Sequence, residues 1–186
     1  KVTTHLIGHY NSDNVLAALC VATYFAVPTS AAVKAIGSYI PSNNRSQMTK
    51  TKLNTLIKDT YNANPTSMKA SLENFDNLDF KNKVLLLGDM LELGDDSVKE
   101  HKVVVEQALQ MKPKKVIFVG EEFGKAYKQL YEKRADCIKN VGGIGSKNAG
   151  IKSVAGKTVV ELYKTSAEYA EKLKKQPLKG CAILIK

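Results

Sequence analysis

Three uninterrupted apolar runs constrain this chain most: Val84-Leu85-Leu86-Leu87, Val116-Ile117-Phe118-Val119 and Cys181-Ala182-Ile183-Leu184-Ile185. A strand with water on one face alternates apolar and polar residues. A run that is apolar throughout belongs to a strand covered on both faces, and so to a parallel sheet. The first two runs end in Gly88 and Gly120, and each leads into an amphipathic helix. Val98, Val105, Ala108 and Leu109 share one face of the first helix; Phe123, Tyr127, Leu130 and Tyr131 recur on the second. Thr158 to Tyr163 reads as a further strand. Ser166 to Lys175 reads as a helix with Ala167, Ala170 and Leu173 inward. The expected fold class is α/β: a mainly parallel sheet of about six strands flanked by helices, over roughly residues 46–186.

The stretch Asn54 to Met68 reads strand, polar turn, helix. Leu56 and Ile57 supply a short β-type run and Asp59 sits where it ends. Asn64 is a good N-cap, Pro65 suits the first helical position, and Met68, Leu72 and Phe75 follow at helical spacing. Ligands of open α/β sheets bind at the carboxyl ends of the strands, so a carboxylate, a phenol, two amides and a helix N-terminus converge on a candidate site. Turn chemistry alone accounts for the same residues equally well.

Residues 1–40 carry two helices and no strand. Asn11 is placed to cap a helix through Val15, Leu16, Leu19, Ala22 and Ala26, which Pro28 breaks; a shorter helix runs from Ala31 to Ile36. Two helices cannot make a core, so they read as the end of a preceding domain. The polar segment Pro41 to Gln47 reads as a linker or hinge. Residues 139–157, rich in Gly, Lys and Asn, read as a surface loop, because their Gly-x-Gly element neither follows a clear strand nor opens a clear helix. No apolar run is long enough to span a membrane, and no leader-like segment opens the chain. Cys20, Cys137 and Cys181 are far apart and odd in number, which fits reduced thiols rather than a disulfide framework or a metal site. The formal charge of +10 favours anionic partners.

Motifs for chemistry are sparse. There is no phosphate-binding loop, no nucleophile elbow, no zinc-spaced cysteine pair and no His-Glu helix motif. His5 and His9, four apart around Gly8, read as a loop pair, and His101 reads as a surface or capping residue. Asp89 and Glu92 are near enough in sequence to form a carboxylate pair, or to serve only solvation. Spacing alone therefore reaches an α/β domain with a polar, ligand-binding edge.

Four segments carry more: Leu6 to Asn14, Asn44-Arg45, Asp59-Thr60-Tyr61-Asn62-Ala63-Asn64-Pro65 and Leu87-Gly88-Asp89-Met90-Leu91-Glu92-Leu93-Gly94, in that order and together with His101. They resemble the Mur ligase family, in the branch that joins D-alanyl-D-alanine to a UDP-N-acetylmuramoyl-tripeptide in bacterial peptidoglycan synthesis. The resemblance implies a Rossmann-like C-terminal ligase domain at residues 46–186, preceded at 1–45 by the last helices of a central ATPase domain and a hinge. It implies ATP and Mg2+ as cofactors, held mostly by the central domain, whose phosphate loop and metal-binding carboxylates lie upstream. By the same resemblance Asn11, Asn14, Arg45, Asp59, Tyr61 and Asn62 match nucleotide-binding positions, and Asn64, Ser67, Asp89 and Glu92 face the dipeptide. No metal ligand is expected here. Tyr10 stands where the family often has His, and Asn44 where it often has Gly. The family's Lys-Gly-Ser-Arg ending would begin at Lys186. The implied protein is a cytoplasmic enzyme with no nucleic-acid partner, expected to be a monomer, and this stretch alone would be inactive. The competing class is a non-enzymatic basic α/β binding module.

Overall fold

The structure, a computed structural model, describes residues 2–8, 11–42, 44–131, 151–155 and 158–186. Two helices come first, α1 (Asn11–Tyr24) and α2 (Thr29–Ser38), followed by strands β1 (Gln47–Lys50) and β2 (Thr55–Lys58). Helix α3 (Pro65–Asp76), strand β3 (Lys83–Gly88), α4 (Ser97–Gln110), β4 (Lys115–Val119) and α5 (Glu121–Tyr131) alternate after that. The chain closes with β5 (Ile151–Ala155), β6 (Thr158–Tyr163), α6 (Ser166–Lys175) and β7 (Ala182–Ile185).

The strands form one sheet in the order β1-β2-β7-β3-β4-β6-β5. The five central strands pair in parallel, while β1 on β2 and β5 on β6 are antiparallel edges. The expected mainly parallel α/β fold is borne out, with seven strands in place of about six. The strands that the sequence reading did not place are the two edges: β1 begins inside the segment read as linker, and β5 lies inside the segment read as loop 139–157. The rest of that loop, and Cys137, lie outside the described residues, as does His9 of the histidine pair.

Side chains from the central strands go alternately to the two faces. Leu85, Leu87, Val116, Phe118 and Leu184 meet Met68, Leu72 and Phe75 of α3, Val104, Val105 and Ala108 of α4, and Phe123 and Ala126 of α5. Val84, Ile117, Tyr163 and Ile183 meet Tyr169 of α6 on the other face. Removing this much aliphatic and aromatic surface from water is the main driving force for the fold, at about 25 cal/mol per Å2 buried.

Two helix faces differ from expectation. His101 is fully buried in α4, not at the surface. Its Nδ1 lies 2.7 Å from the Ser97 carbonyl oxygen and its Nε2 3.0 Å from the Met90 amide nitrogen. Nδ1 therefore carries the proton and donates to the carbonyl, Nε2 accepts, and the ring is neutral. On α6, Ala167, Ala170 and Leu173 are exposed; Tyr169 and Lys172 face the sheet. The cause is Glu161, buried on β6, which takes Lys172 Nζ at 2.7 Å and Lys115 Nζ at 3.1 Å. A buried charge has to be paired, and that requirement sets which face of α6 turns inward. Helix α4 is entered through a 3-10 turn at Gly94–Asp96 and carries no side-chain cap bond at its start.

Helices α1 and α2 pack on each other, with Ala32 the only buried residue of the two. Leu16, Val21, Tyr24, Phe25, Tyr39 and Ile40 are exposed. Asn11 is the first residue of α1 rather than its cap, and its Nδ2 donates back to the Ile7 carbonyl at 2.7 Å.

Candidate functional site

Strand β2 ends at the carboxyl edge of the sheet, where the Asp59 amide still donates to the Ile185 carbonyl at 2.9 Å. The chain then turns into α3 through a complete capping box. Asn64 Oδ1 accepts from the Ser67 amide at 2.8 Å, and Ser67 Oγ accepts from the Asn64 amide at 3.1 Å. Pro65 occupies the first turn, where no amide donor is needed. Local sequence alone dictates this corner, and it fixes the direction in which residues 59–64 leave the sheet.

The Asp59 carboxylate ties four segments together. Oδ1 accepts from the Ser46 amide at 3.2 Å, ahead of β1; Oδ2 accepts from Ser71 Oγ on α3 and from Lys186 Nζ after β7, each at 2.9 Å. Lys186 Nζ also donates to the Asn62 carbonyl at 2.9 Å. The Thr60 amide donates to the Asn44 carbonyl at 2.8 Å. Arg45 stands between the bonded Asn44 and Ser46, its guanidinium carbon 3.6 Å from the centre of the Tyr61 ring. Such stacking contributes about 0.5–1 kcal/mol at an exposed site and, more usefully here, fixes the plane of the guanidinium.

Eight of the ten residues singled out from the sequence line one open cavity of about 640 Å3: Asn11, Asn14, Arg45, Asp59, Tyr61, Asn62, Asn64 and Ser67. Lys186 also lines it. A neighbouring cavity of about 450 Å3 shares Asn11, Asn14 and Arg45, and adds Leu6, Val15, Ala18, Ala35 and Ile36. Asn14 Nδ2 donates to Asn11 Oδ1 at 3.1 Å, which holds the two amides together. The pair of cavities thus has an aliphatic part and a part bearing Arg45, Lys186 and Asp59, one negative charge against two positive.

Asp89 and Glu92 are not in this group, and they form no carboxylate pair. The Asp89 carboxylate accepts the amides of Glu122 at 3.0 Å and Phe123 at 2.9 Å, so it caps α5 from a different loop. His101 Nε2 lies 3.6 Å from it, but the ring is neutral and the contact is no ion pair. Glu92 is exposed, with φ at 62°. In the first turn of α5, Glu122 is held below the ordinary carboxyl range by hydrogen bonds from Lys125 and Ser97.

Lys186 and Ser71 were not singled out from the sequence as site residues. A lysine directly after an apolar strand, at the carboxyl edge of a parallel sheet, is the signal that marks Lys186.

Comparison with known proteins decides the family. Residues 44–181 match the family model described as Mur ligase, glutamate ligase domain. This chain belongs to the Mur ligase family. Among curated relatives, the UDP-N-acetylmuramoyl-tripeptide--D-alanyl-D-alanine ligase of Bacillus subtilis (strain 168) is 37% identical over 99 residues, covering 52% of this chain and 22% of that protein. The ligase of the same name from Buchnera aphidicola subsp. Baizongia pistaciae is 33% identical over 121 residues, covering 64% and 26%. The MurF crystal structure II of Acinetobacter baumannii superposes with a TM-score of 0.71 at 24% identity, covering 96% of this chain and 35% of that one. The MurF ligase of Thermotoga maritima, in complex with ADP, gives 0.60 at 21% identity, covering 90% and 32%. This Mur ligase chain therefore spans about a quarter of the length of the curated relatives it matches, and the likeness to solved structures is one of fold.

Proposed function

We propose that this chain is the C-terminal part of an ATP-dependent, peptide-forming Mur ligase of the cytoplasm, which joins D-alanyl-D-alanine to UDP-N-acetylmuramoyl-tripeptide. Residues 46–186 are its Rossmann-like ligase domain, and residues 1–45 are the last helices of the central ATPase domain with the hinge. The observation that carries the reading is the shared cavity. Asn11 and Asn14 from α1, and Arg45, Asp59, Tyr61 and Asn62 from the edge of the sheet, face one space although α1 is nearly free of the sheet's core. The names of the curated relatives supply the substrates.

The residues present fit an adenine nucleotide. The aliphatic cavity beside the Asn11–Asn14 pair suits a purine ring, and Arg45 presents a planar fork of donors suited to phosphate oxygens. Asp59 has about four lone-pair sites and uses three, which leaves one on Oδ1 for a ribose hydroxyl. ATP would supply the phosphoryl group that turns the tripeptide carboxylate into an acyl phosphate, leaving ADP; attack by the dipeptide amine then forms the amide and releases phosphate. Among the described residues no three His, Cys, Asp or Glu side chains converge. Magnesium ligation in this reading belongs to the central domain. The exposed apolar residues of α1 and α2 are then the surface on which that domain packs.

The hinge is shorter than segment 41–47. From Asn44 onward the backbone is bonded to Thr60 and Asp59, so closure on ATP turns the C-terminal domain about the part of the linker that precedes Asn44.

The test is Arg45→Lys in the full-length enzyme, read as phosphate release that depends on ATP, tripeptide and D-Ala-D-Ala. Charge is kept and the bidentate contact is lost, so kcat should fall about tenfold or more. An unchanged kcat, or a wild-type enzyme that needs no ATP, would refute the reading.

A further inference from the structure

We propose that Lys186 is a positioning residue of this site: its buried ammonium keeps Asp59 aimed at the Ser46 amide, and thereby sets where Arg45 stands over the cavity. The inference rests on the nucleotide reading above and adds to it a residue that touches neither the phosphates nor the ribose.

The Lys186 side chain is 3% exposed and that of Asp59 15%. A buried ion pair is a poor source of stability, because desolvating two charges offsets most of their attraction, and a hydrophobic replacement is often neutral. What such a pair does supply is orientation. The root of Lys186 is rigid: its amide donates to the Leu86 carbonyl at 3.0 Å and its carbonyl accepts from the Gly88 amide at 2.8 Å, in the middle of the sheet. Its side chain then spans from Asp59 Oδ2 to the Asn62 carbonyl. The remaining oxygen of Asp59 is directed to Ser46.

The far end of this relay needs holding. Asn44 and Ser46, on either side of Arg45, both sit in the left-handed region, at φ 57° and 49°. Neither is glycine, so the turn is kept by its bonds against its own preference. Those bonds include the Thr60 amide on the Asn44 carbonyl and Asp59 Oδ1 on the Ser46 amide. Without the ammonium, Asp59 is an unbalanced charge beside an open cavity, and it gains most by turning toward water. Ser46 then loses this acceptor, and the fork of Arg45 loses its aim.

The experiment uses the full-length enzyme with Lys186→Met, Asp59→Asn and the double variant. Michaelis constants for ATP and for D-Ala-D-Ala, kcat and the melting midpoint are measured for each. Misplacing Arg45 by a fraction of an ångström should lower kcat/KM for ATP about tenfold in Lys186→Met, with KM for the dipeptide unchanged. Because Lys186 acts through Asp59, the double variant should be no worse than Asp59→Asn alone. Losses that multiply would overturn the inference, since Lys186 would then be acting on its own, for instance by touching phosphate. So would Lys186→Met kinetics within about twofold of wild type, or a dipeptide KM that rises in step with lost stability. If Lys186→Met does not fold, Lys186→Gln, which keeps N–H donors but no charge, takes its place in the same cycle. A wild-type enzyme that does not bind ATP overturns the nucleotide reading itself. An active wild type with multiplying losses overturns only the role of Lys186.

Discussion

Replacing Gly120 by alanine should be among the most damaging single-methyl changes in the chain. Gly120 lies between β4 and α5 at φ 133°, where L side chains are strained, and a Cβ built there would sit 2.0 Å from the Asp89 carboxylate carbon. Asp89 would have to move, and in moving it would release the Glu122 and Phe123 amides that it caps. Backbone strain of this kind costs about 1–3 kcal/mol. Loss of the cap costs about 2 kcal/mol. Gly120→Ala is therefore expected to cost about 4 kcal/mol, and Asp89→Ala about 2 kcal/mol. The two share one contact, so the double variant should cost about 4 kcal/mol rather than the 6 or so expected of independent sites. Urea unfolding followed by circular dichroism measures this. With a slope of about 2 kcal/mol per molar, the Gly120→Ala midpoint should fall by about 2 M. A fall below about 0.5 M, or fully additive losses, would refute the argument that Asp89 and Gly120 form one close-fitting unit.

Asn64→Ala removes the capping box of α3 and should cost about 1 kcal/mol, seen as a melting midpoint lower by about 2–4 °C. Glu161→Gln should destabilise the chain at pH 7 by about 2 kcal/mol, less than for a fully buried pair because Lys115 and Lys172 reach water. Burial pushes the Glu161 carboxyl up, but the hydrogen bonds from Lys172 and Lys115 outweigh it and hold it below the ordinary value of 4.5. The advantage of wild type over this variant should therefore be complete above that value and shrink as pH falls through the lowered one, as urea midpoints between pH 7 and pH 3 would show. Tyr163 and Tyr169 are pushed upward, first by burial and then by the Glu161 charge, so their contribution acts in the opposite sense and is lost only as pH rises beyond the ordinary tyrosine range.

What was legible in the sequence was what neighbours in the chain decide. The parallel strands announce themselves because both of their faces are apolar, and the corner at Asn64 because cap and partner are three residues apart. Strand β1, Gln47-Met48-Thr49-Lys50, has no apolar pattern to read; its pairing with β2 alone makes it a strand. The cap that Asp89 gives α5 spans 33 residues, and the bond from Lys186 to Asp59 spans 127. No local pattern records such contacts. Motif resemblance placed eight residues on one cavity but could not separate Asp89 from them, because a helix cap and a substrate carboxylate look alike in a motif. Tyr169 and Lys172 were missed on α6 for a related reason. Apolarity pointed to Ala167 and Ala170, while a buried glutamate on another strand chose the face.

The position of β7 has a consequence for how the molecule comes into being. Leu56 on β2 and Val84 on β3 are not neighbours of each other; both pair with Ile183, in a strand made after all the others. During synthesis β2 and the β3-β4-β6 group each wait with an apolar edge unpaired, and the gap between them closes only when residues 182–185 arrive. All of residues 59–186 must therefore have left the ribosome before Asp59 and Lys186 can meet. A nascent chain stalled before residue 182 would hold two half-sheets with sticky borders, and would be a client for chaperones rather than a smaller folded protein.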